Sequence, residues 1–354
     1  MPEPIRILHY GLGPIGARIA QLVTSRPNLV SVGAVDIDPA KAGKDLGAVA
    51  KLGRGLHMPV QSNLLAVLEG QKPDIVLHAT GSHLPSVLPQ FLAMAEAGLP
   101  VVSTCEELSY PWFHHPDEAR TIDEAAQRRG IAILSTGINP GFIMDTLTVI
   151  LSGVCPSVTG VQVRRVVDLS VRRKQLQRKV GVNLTPAEFA AKKAKGMLGH
   201  VGLPESVAMI AAGLGWSLDR VEQTLEPVIA PCPLDSALGP VAPGQVQGQH
   251  QIARGFAAGR ERITLELKMA LEAPDAGDFI ELEGPEPLSS AVRGVQGDIA
   301  TAAIIVNAIP SVLAAAPGLH TMLDLPPLRS VGVTAERAEN TEKPRSSASS
   351  VVKR

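Results

Sequence analysis

Two acidic residues in tandem, Glu106 and Glu107, follow the short apolar run Val101-Val102-Ser103, and Tyr110, Trp112 and Phe113 come soon after them. A carboxylate among apolar groups has its charged form disfavoured, so its pKa rises and it can exchange protons near neutrality. Aromatic residues make up only 3% of the chain, yet these three and Phe142 collect at what is predicted to be one edge of a sheet. Tyr110, Trp112, Phe142 and Met144, with Asn139, Pro140 and His200, are candidates to wall a substrate pocket. The sequence leaves open which glutamate acts, and whether the aromatics serve the pocket or the packing of two domains.

A second constellation lies at the amino terminus. Residues 5–38 run from an apolar stretch through Gly11-Leu12-Gly13-Pro14-Ile15-Gly16 and a helical pattern to a second apolar stretch ending in Asp36. In a strand, loop, helix, strand unit, Gly11 permits the tight turn, Gly13 lets the backbone approach a pyrophosphate, and Gly16 lets the helix pack on the sheet. Pro14 and Ile15 begin the helix whose unpaired amides hold the pyrophosphate. Asp36, 20 residues past Gly16, can accept both hydroxyls of an adenosine ribose. This predicts NAD over NADP, because a 2′-phosphate would be repelled. Ile37 and Asp38, next in line, bring no arginine to that phosphate, although Lys41 and Lys44 nearby leave NADP use open. Thr80-Gly81-Ser82 and Thr104 follow two further apolar runs, at the sheet edge where ligands bind, and are assigned to the cofactor together with Asn139.

Among the nine histidines, His78 lies inside a predicted strand and reads as a satisfied core residue, and His83 at that strand's tip as a cofactor contact or helix cap. His200, between Gly199 and Gly202, is a candidate donor to a polar group of the substrate, while His114-His115 reads as a solvated pair. Arg164, Arg165, Arg172, Arg173, Lys174, Arg178 and Lys179 read as a solvated face, the alternative being that one arginine grips a substrate carboxylate. HExxH and GxSxG are absent, so neither a metal nor a nucleophile elbow is expected. With 33 basic and 34 acidic residues, nothing points to nucleic acid or to a membrane surface. Cys105, Cys155 and Cys232 form no CxxC, and a strand begins too early to leave room for a signal peptide; no apolar run looks long enough to span a membrane. A cytoplasmic protein is therefore expected.

The elements that must position these groups alternate through residue 150. Strands are predicted at residues 5–10, near Asp36, from Val60, at residues 75–79, 101–103 and 131–134, with helices at residues 17–25, 85–97 and 117–129. Such alternation predicts a doubly wound parallel α/β (Rossmann) sheet of order 3-2-1-4-5-6. Beyond residue 150 apolar residues alternate with period two, at Val161 and Val163 and across Ile263, Leu265, Leu267, Met269 and Leu271. This predicts a half-exposed antiparallel sheet in an inserted α+β domain, with helices at residues 186–195, 204–212 and 217–225, the last capped by Ser217. Asp298 is expected to cap an apolar helix over residues 299–316, kinked at Pro310 and returning to the first domain. The expected division is residues 1–150 for the dinucleotide, 151–297 for substrate and dimerisation, 298–334 for the returning helix, and 335–354 as a disordered tail.

In their order along the chain, GLGPIG, GAVDIDPAKAGKDLG, LHATGS, VVSTCEELSYPW, STGINPGFIMD, GHVGLPES, GWSLDRVEQTLEPVIA and VQGDIATAAIIVNAIP resemble the 2,4-diaminopentanoate dehydrogenase group and the related NAD(P)H-dependent amine dehydrogenases, within the dihydrodipicolinate-reductase-like superfamily. The resemblance spans nearly all of the chain except the tail. It implies that a glutamate after the fifth strand exchanges the proton, which maps onto Glu106-Glu107, and that the protein is a homodimer. The HHxxKxDxPSGT signature of dihydrodipicolinate reductases is missing, since His114-His115 is followed by Pro-Asp-Glu. The expected activity is reversible NAD(P)-dependent deamination of an amine, or amination of a ketone or aldehyde with ammonia. The alternatives are a cyclic-imine or carbonyl reductase and a non-catalytic nucleotide sensor.

Overall fold

The apolar runs of the amino-terminal half become parallel strands. In the computed structural model, which describes residues 3–330, β1 (Ile5–Tyr10) leads through the glycine loop into α1 (Pro14–Ser25) and β2 (Leu29–Val35). The short helices α2 (Leu46–Val49) and α3 (Leu64–Leu68) precede β3 (Ile75–His78) and α4 (Leu84–Glu96). After these come β4 (Val101–Ser103), a 3-10 turn at Glu106–Leu108, α5 (Pro116–Arg129), β5 (Ala132–Ser135) and α6 (Thr146–Ser152). Every residue of β3, β4 and β5 is buried, which is why these strands read as continuous apolar runs rather than alternating ones. Helix α5 shows how local signals set an element's ends. Pro116 opens it, Asp117 and Glu118 meet the positive end of its dipole, Arg128 and Arg129 the negative end, and Gly130 at φ 68° terminates it. Its buried Ala119, Ile122, Ala125 and Ala126 form the stripe that packs toward the sheet.

The second half contains β6 (Gly160–Asp168), α7 (Lys174–Lys179), α8 (Pro186–Ala194), α9 (Leu203–Gly213), β7 (Arg220–Ile229), β8 (Val246–Ala257), β9 (Arg260–Ala270), β10 (Gly277–Glu283) and β11 (Leu288–Val292), followed by α10 (Gly297–Ala314) and β12 (Gly318–His320). Two six-stranded sheets result, ordered β12-β5-β4-β3-β1-β2 and β11-β10-β6-β9-β8-β7. The first is parallel throughout and keeps the expected order. Its predicted strand at Val60 is reduced to a bridge between Val35 and Gln61, and β12 is added beside β5.

Three expectations about the second half are corrected. The sheet is mixed rather than antiparallel, because β6 pairs with β9 in parallel; alternation reports which face is buried and carries no information on the direction of a neighbour. The helix expected at residues 217–225 is instead β7, paired antiparallel with β8. Val221 and Leu225 have helical spacing, but pairing along the whole of β8 satisfies the backbone and overrides that local pattern. The apolar residues Ile263, Leu265, Leu267 and Met269 are covered within the chain by a core that includes Val207, Ile210 and Met144, so the apolar side of this strand is not free for the dimerisation expected of residues 151–297. The open side of β9 carries Thr264, Glu266 and Lys268.

Helix α10 returns to the first sheet, where Ile305, Ala308, Ile309 and Val312 join Ile7, Ile75, Leu77 and Val102 in one core. Its N-cap is Gln296; Asp298 sits in the first turn and accepts a hydrogen bond from Arg173 Nε instead of capping the helix. Among the described residues it is the one helix long and apolar enough to cross a membrane, with mean hydropathy 1.6, a length the sequence reading passed over. Seven of its eighteen residues are buried, on the side that packs against the sheet, which accounts for much of that apolar composition. The predicted tail, residues 335–354, lies wholly outside the described residues.

Candidate active site

A cleft of about 430 Å³ opens between the carboxyl ends of the parallel strands and the inner face of β6 and β9. Gly13, Pro14, Ile15, Thr80, Gly81, Ser82, Thr104 and Asn139 line it, so most residues predicted to contact a cofactor are brought together. Gly16 is required by close approach: a Cβ there would lie 1.9 Å from the Gly11 carbonyl oxygen. Gly11 itself turns at φ 93°. The N-terminus of α1 is capped by no side chain, which leaves its amides available to a pyrophosphate.

Asp36 lies apart from this cleft, at the end of β2 where the adenosine end of a dinucleotide belongs. It accepts hydrogen bonds from the Leu12 amide at 2.7 Å, the Asp38 amide at 2.9 Å and Lys41 Nζ at 2.9 Å. Burial disfavours its charge, but these donors prevail and hold the carboxyl below the usual carboxylate range. Its neighbour Ile37 is 79% exposed.

Two polar side chains in the cleft carry sealed atoms without a partner, the Thr136 hydroxyl and both amide atoms of Asn139. An unsatisfied buried group costs roughly 1–3 kcal/mol, so a ligand able both to donate and to accept there is favoured. The carboxamide of a nicotinamide ring has that donor and acceptor set, and with the open glycine loop these residues fit a dinucleotide. Thr136 was missed from sequence; its only signal was its place directly after the predicted sixth strand.

The two adjacent glutamates are separated by the 3-10 turn into different roles. Glu106 faces the cleft. Burial pushes its carboxyl above the ordinary range, with the Lys179 charge and the Ser82 hydroxyl acting in the opposite direction. Glu107 points away into a second cavity, where its carboxylate accepts from the Leu84 amide at 2.7 Å and meets His83 Nδ1 at 2.7 Å and His115 Nε2 at 3.2 Å. It therefore caps α4 in place of His83, which stands at the N-cap position without a side-chain cap bond. His114 lies 3.3 Å from Glu205, so the expected solvated histidine pair is instead tied to two carboxylates. His78 is the satisfied core residue expected, bonded to Ser103 and Gln90.

Opposite the glycine loop the cleft wall is cationic. Arg165, Arg172, Arg173 and Lys179 all face it, against the reading of this run as a solvated surface. Arg165 is paired with Asp278, and Arg172 and Arg173 with Asp298 at 3.7 and 2.8 Å. Arg164 keeps the outer face of the sheet, stacked over the Phe279 ring, and Lys174 and Arg178 stay exposed to solvent as expected. Pro140 and His200 line the cleft as expected. The aromatic wall does not form. Met144 is fully buried in the second core, Phe142 and Tyr110 pack against core residues, Trp112 is 37% exposed, and none of the four lines the cleft. The apolar wall is supplied by Leu267 and Met269 of β9, whose alternation was visible but not its destination.

Comparison with known proteins shows what the chain is similar to over most of its length. The profile of the 2,4-diaminopentanoate dehydrogenase C-terminal domain matches residues 142–341. A 2,4-diaminopentanoate dehydrogenase of Acetoanaerobium sticklandii is 31% identical over 341 residues, covering 93% of this chain and 95% of the relative. An amine dehydrogenase of Streptomyces virginiae is 23% identical, covering 91% and 96%. The solved structure of an amine dehydrogenase from Mycobacterium smegmatis superposes with a TM-score of 0.81 at 29% identity, over 92% of this chain and 97% of that one. A dihydrodipicolinate reductase from Paenisporosarcina, at 14% identity and a TM-score of 0.52, shares the fold.

Proposed function

The chain belongs to the 2,4-diaminopentanoate dehydrogenase family and is an NAD(P)-dependent oxidoreductase acting on amines, and on that premise we propose that Glu106 is the residue that moves the proton in its reaction. The observation that carries this is the partly buried Glu106 carboxyl in the same cleft as the glycine loop, while Glu107 is committed to capping α4. When bound, the nicotinamide supplies or takes up the hydride at the carbon that bears the nitrogen. In the aminating direction Glu106 accepts the proton released as ammonia adds to the carbonyl carbon and returns it as the hydroxyl leaves as water, while the carbonyl oxygen takes its other proton from solvent, so that an iminium remains for the hydride; in the deaminating direction the same transfers run in reverse. Thr136 and Asn139 orient the ring, and Leu267 and Met269 restrict water around the imine carbon.

The reading is tested by oxidation of NADH with a panel of ketones, with and without ammonium, and by reduction of NAD with 2,4-diaminopentanoate and simple aliphatic amines. Ammonium-dependent turnover is expected. Equal rates without ammonium would indicate a carbonyl reductase, and binding without turnover a nucleotide sensor.

Asp36 supports NAD as the preferred nucleotide. Asp36→Ala is expected to shift the ratio of kcat/KM values toward NADP, since the repelling carboxylate is gone and Lys41, left with only the exposed Asp38 at 3.4 Å, can turn to meet a 2′-phosphate. A wild type that already prefers NADP would contradict this role.

We take residues 1–150 as the dinucleotide unit, residues 151–297 as the substrate unit and α10 as the return to the first. A homodimer through the open face of the second sheet is the assembly this reading favours, with the half-exposed Ile252 and Phe256 of β8 among its contacts. Light scattering at micromolar concentration is expected to give twice the chain mass, and a monomer would refute it. The three unpaired cysteines favour a cytoplasmic location.

A further inference from the structure

His200 is held with more care than a wall residue needs. Its backbone amide donates to Gln251 Oε1 at 2.7 Å, and Gln251 Nε2 donates back to the His200 carbonyl at 2.8 Å. Gln251 is fully buried on β8, so the loop before α9 is clamped to the second sheet. Gly202 of the same loop has φ 104°, and a Cβ there would lie 2.4 Å from Pro140 and 3.2 Å from Glu106 Cβ. The loop thus runs directly against the glutamate. His200 Nε2 is 2.8 Å from the Asn139 carbonyl oxygen. A carbonyl can only accept, so Nε2 carries the hydrogen. Burial, with the Lys179 and Arg165 charges in the same direction, brings the ring's pKa down to about 4, so it is neutral at physiological pH. In a neutral imidazole with hydrogen on Nε2, Nδ1 presents a lone pair. That atom has no partner among the described residues and is not among the sealed ones, and His200 lines both the cleft and the second cavity.

We propose that His200, through Nδ1, is a substrate-contacting residue that accepts a hydrogen bond from the reacting nitrogen opposite Glu106, and that Gln251 is the residue positioning it. The assignment rests on the amine-dehydrogenase reading and adds to it. The expected role of His200 as a donor is thereby reversed. Ammonia held by two acceptors on the protein side directs its lone pair away from them, toward the carbonyl carbon, which is the orientation addition requires. Glu106 takes one proton; His200 holds a second N–H without removing it.

The test is steady-state amination with ammonium chloride and the best ketone of the panel, using the full chain. His200→Leu is expected to raise the KM for ammonium about tenfold or more, the scale of one such hydrogen bond, with the ketone KM and the NADH Kd within about twofold of wild type. His200→Asn should recover most of the loss, because its amide can both donate to the Asn139 carbonyl and present an acceptor oxygen. Gln251→Leu, which keeps the imidazole but removes the clamp, should also raise the ammonium KM. If His200→Leu does not fold, Gln251→Leu decides alone. An unchanged ammonium KM, or an equal rise in the ketone KM, overturns the assignment. A wild type without ammonium-dependent turnover fails earlier, and overturns the functional reading on which it rests.

Discussion

Glu106→Gln is expected to lower ammonium-dependent turnover by about 10²-fold or more, the usual scale for a positioned acid or base, with the NADH Kd nearly unchanged. Glutamine keeps the size of the side chain and one acceptor oxygen but cannot take a proton, so the loss belongs in kcat. The pH profile supplies an independent mark. Burial raises the Glu106 carboxyl above the ordinary range, and only the ionised form accepts a proton. The amination rate should therefore fall as pH drops through that raised value, and this acid limb should vanish in the variant. Glu107→Gln should behave differently, retaining turnover and losing some stability, because its carboxylate caps α4 through the Leu84 amide. A Glu106→Gln enzyme within a few-fold of wild type, or a Glu107→Gln enzyme that loses turnover instead, would reverse the assignment.

Asp278→Ala is expected to destabilise the fold by about 3–5 kcal/mol, the range for removing one partner of a buried ion pair. Arg165 is 6% exposed and Asp278 3%, and the two face each other across the register of β6 and β10. Burial pushes the Asp278 carboxyl upward and the Arg165 guanidinium downward even in each other's presence, so neither charge is easily left alone there. Chemical unfolding followed by circular dichroism measures the loss. Replacing both residues together, as Arg165→Met with Asp278→Leu, should recover much of it, since a pair of apolar side chains leaves no buried charge. A single variant losing less than about 1 kcal/mol would show that Arg165 is hydrated from the cleft.

The same pair shows how far the sequence could be read. Val161, Val163 and Val167 mark the buried parity of β6, and the break in that alternation is Arg165. A charged residue at a buried parity position was a visible sign of a cleft or a buried partner, but the run of basic residues around it read as solvent-facing. Asp278, its partner, is 113 residues away in the chain and no local pattern connects the two. For β7, helical spacing of two apolar residues competed with a strand pairing that exists only once β8 is in place.

What the sequence determined by itself was everything whose cause is local. The glycine loop, Asp36 at the end of the second strand, the caps and charges of α5, and the parallel order of the first sheet each follow from residues within one unit of strand, turn and helix. The tertiary structure decided what depends on direction and on distant contact. Glu106 and Glu107 are neighbours with the same chemistry, and a single 3-10 turn sends one into the cleft and the other to the end of α4. The wall opposite the cofactor loop comes from β6, β9 and the loop before α9, brought over the sheet edge by a mixed sheet whose strand directions no period-two pattern can report.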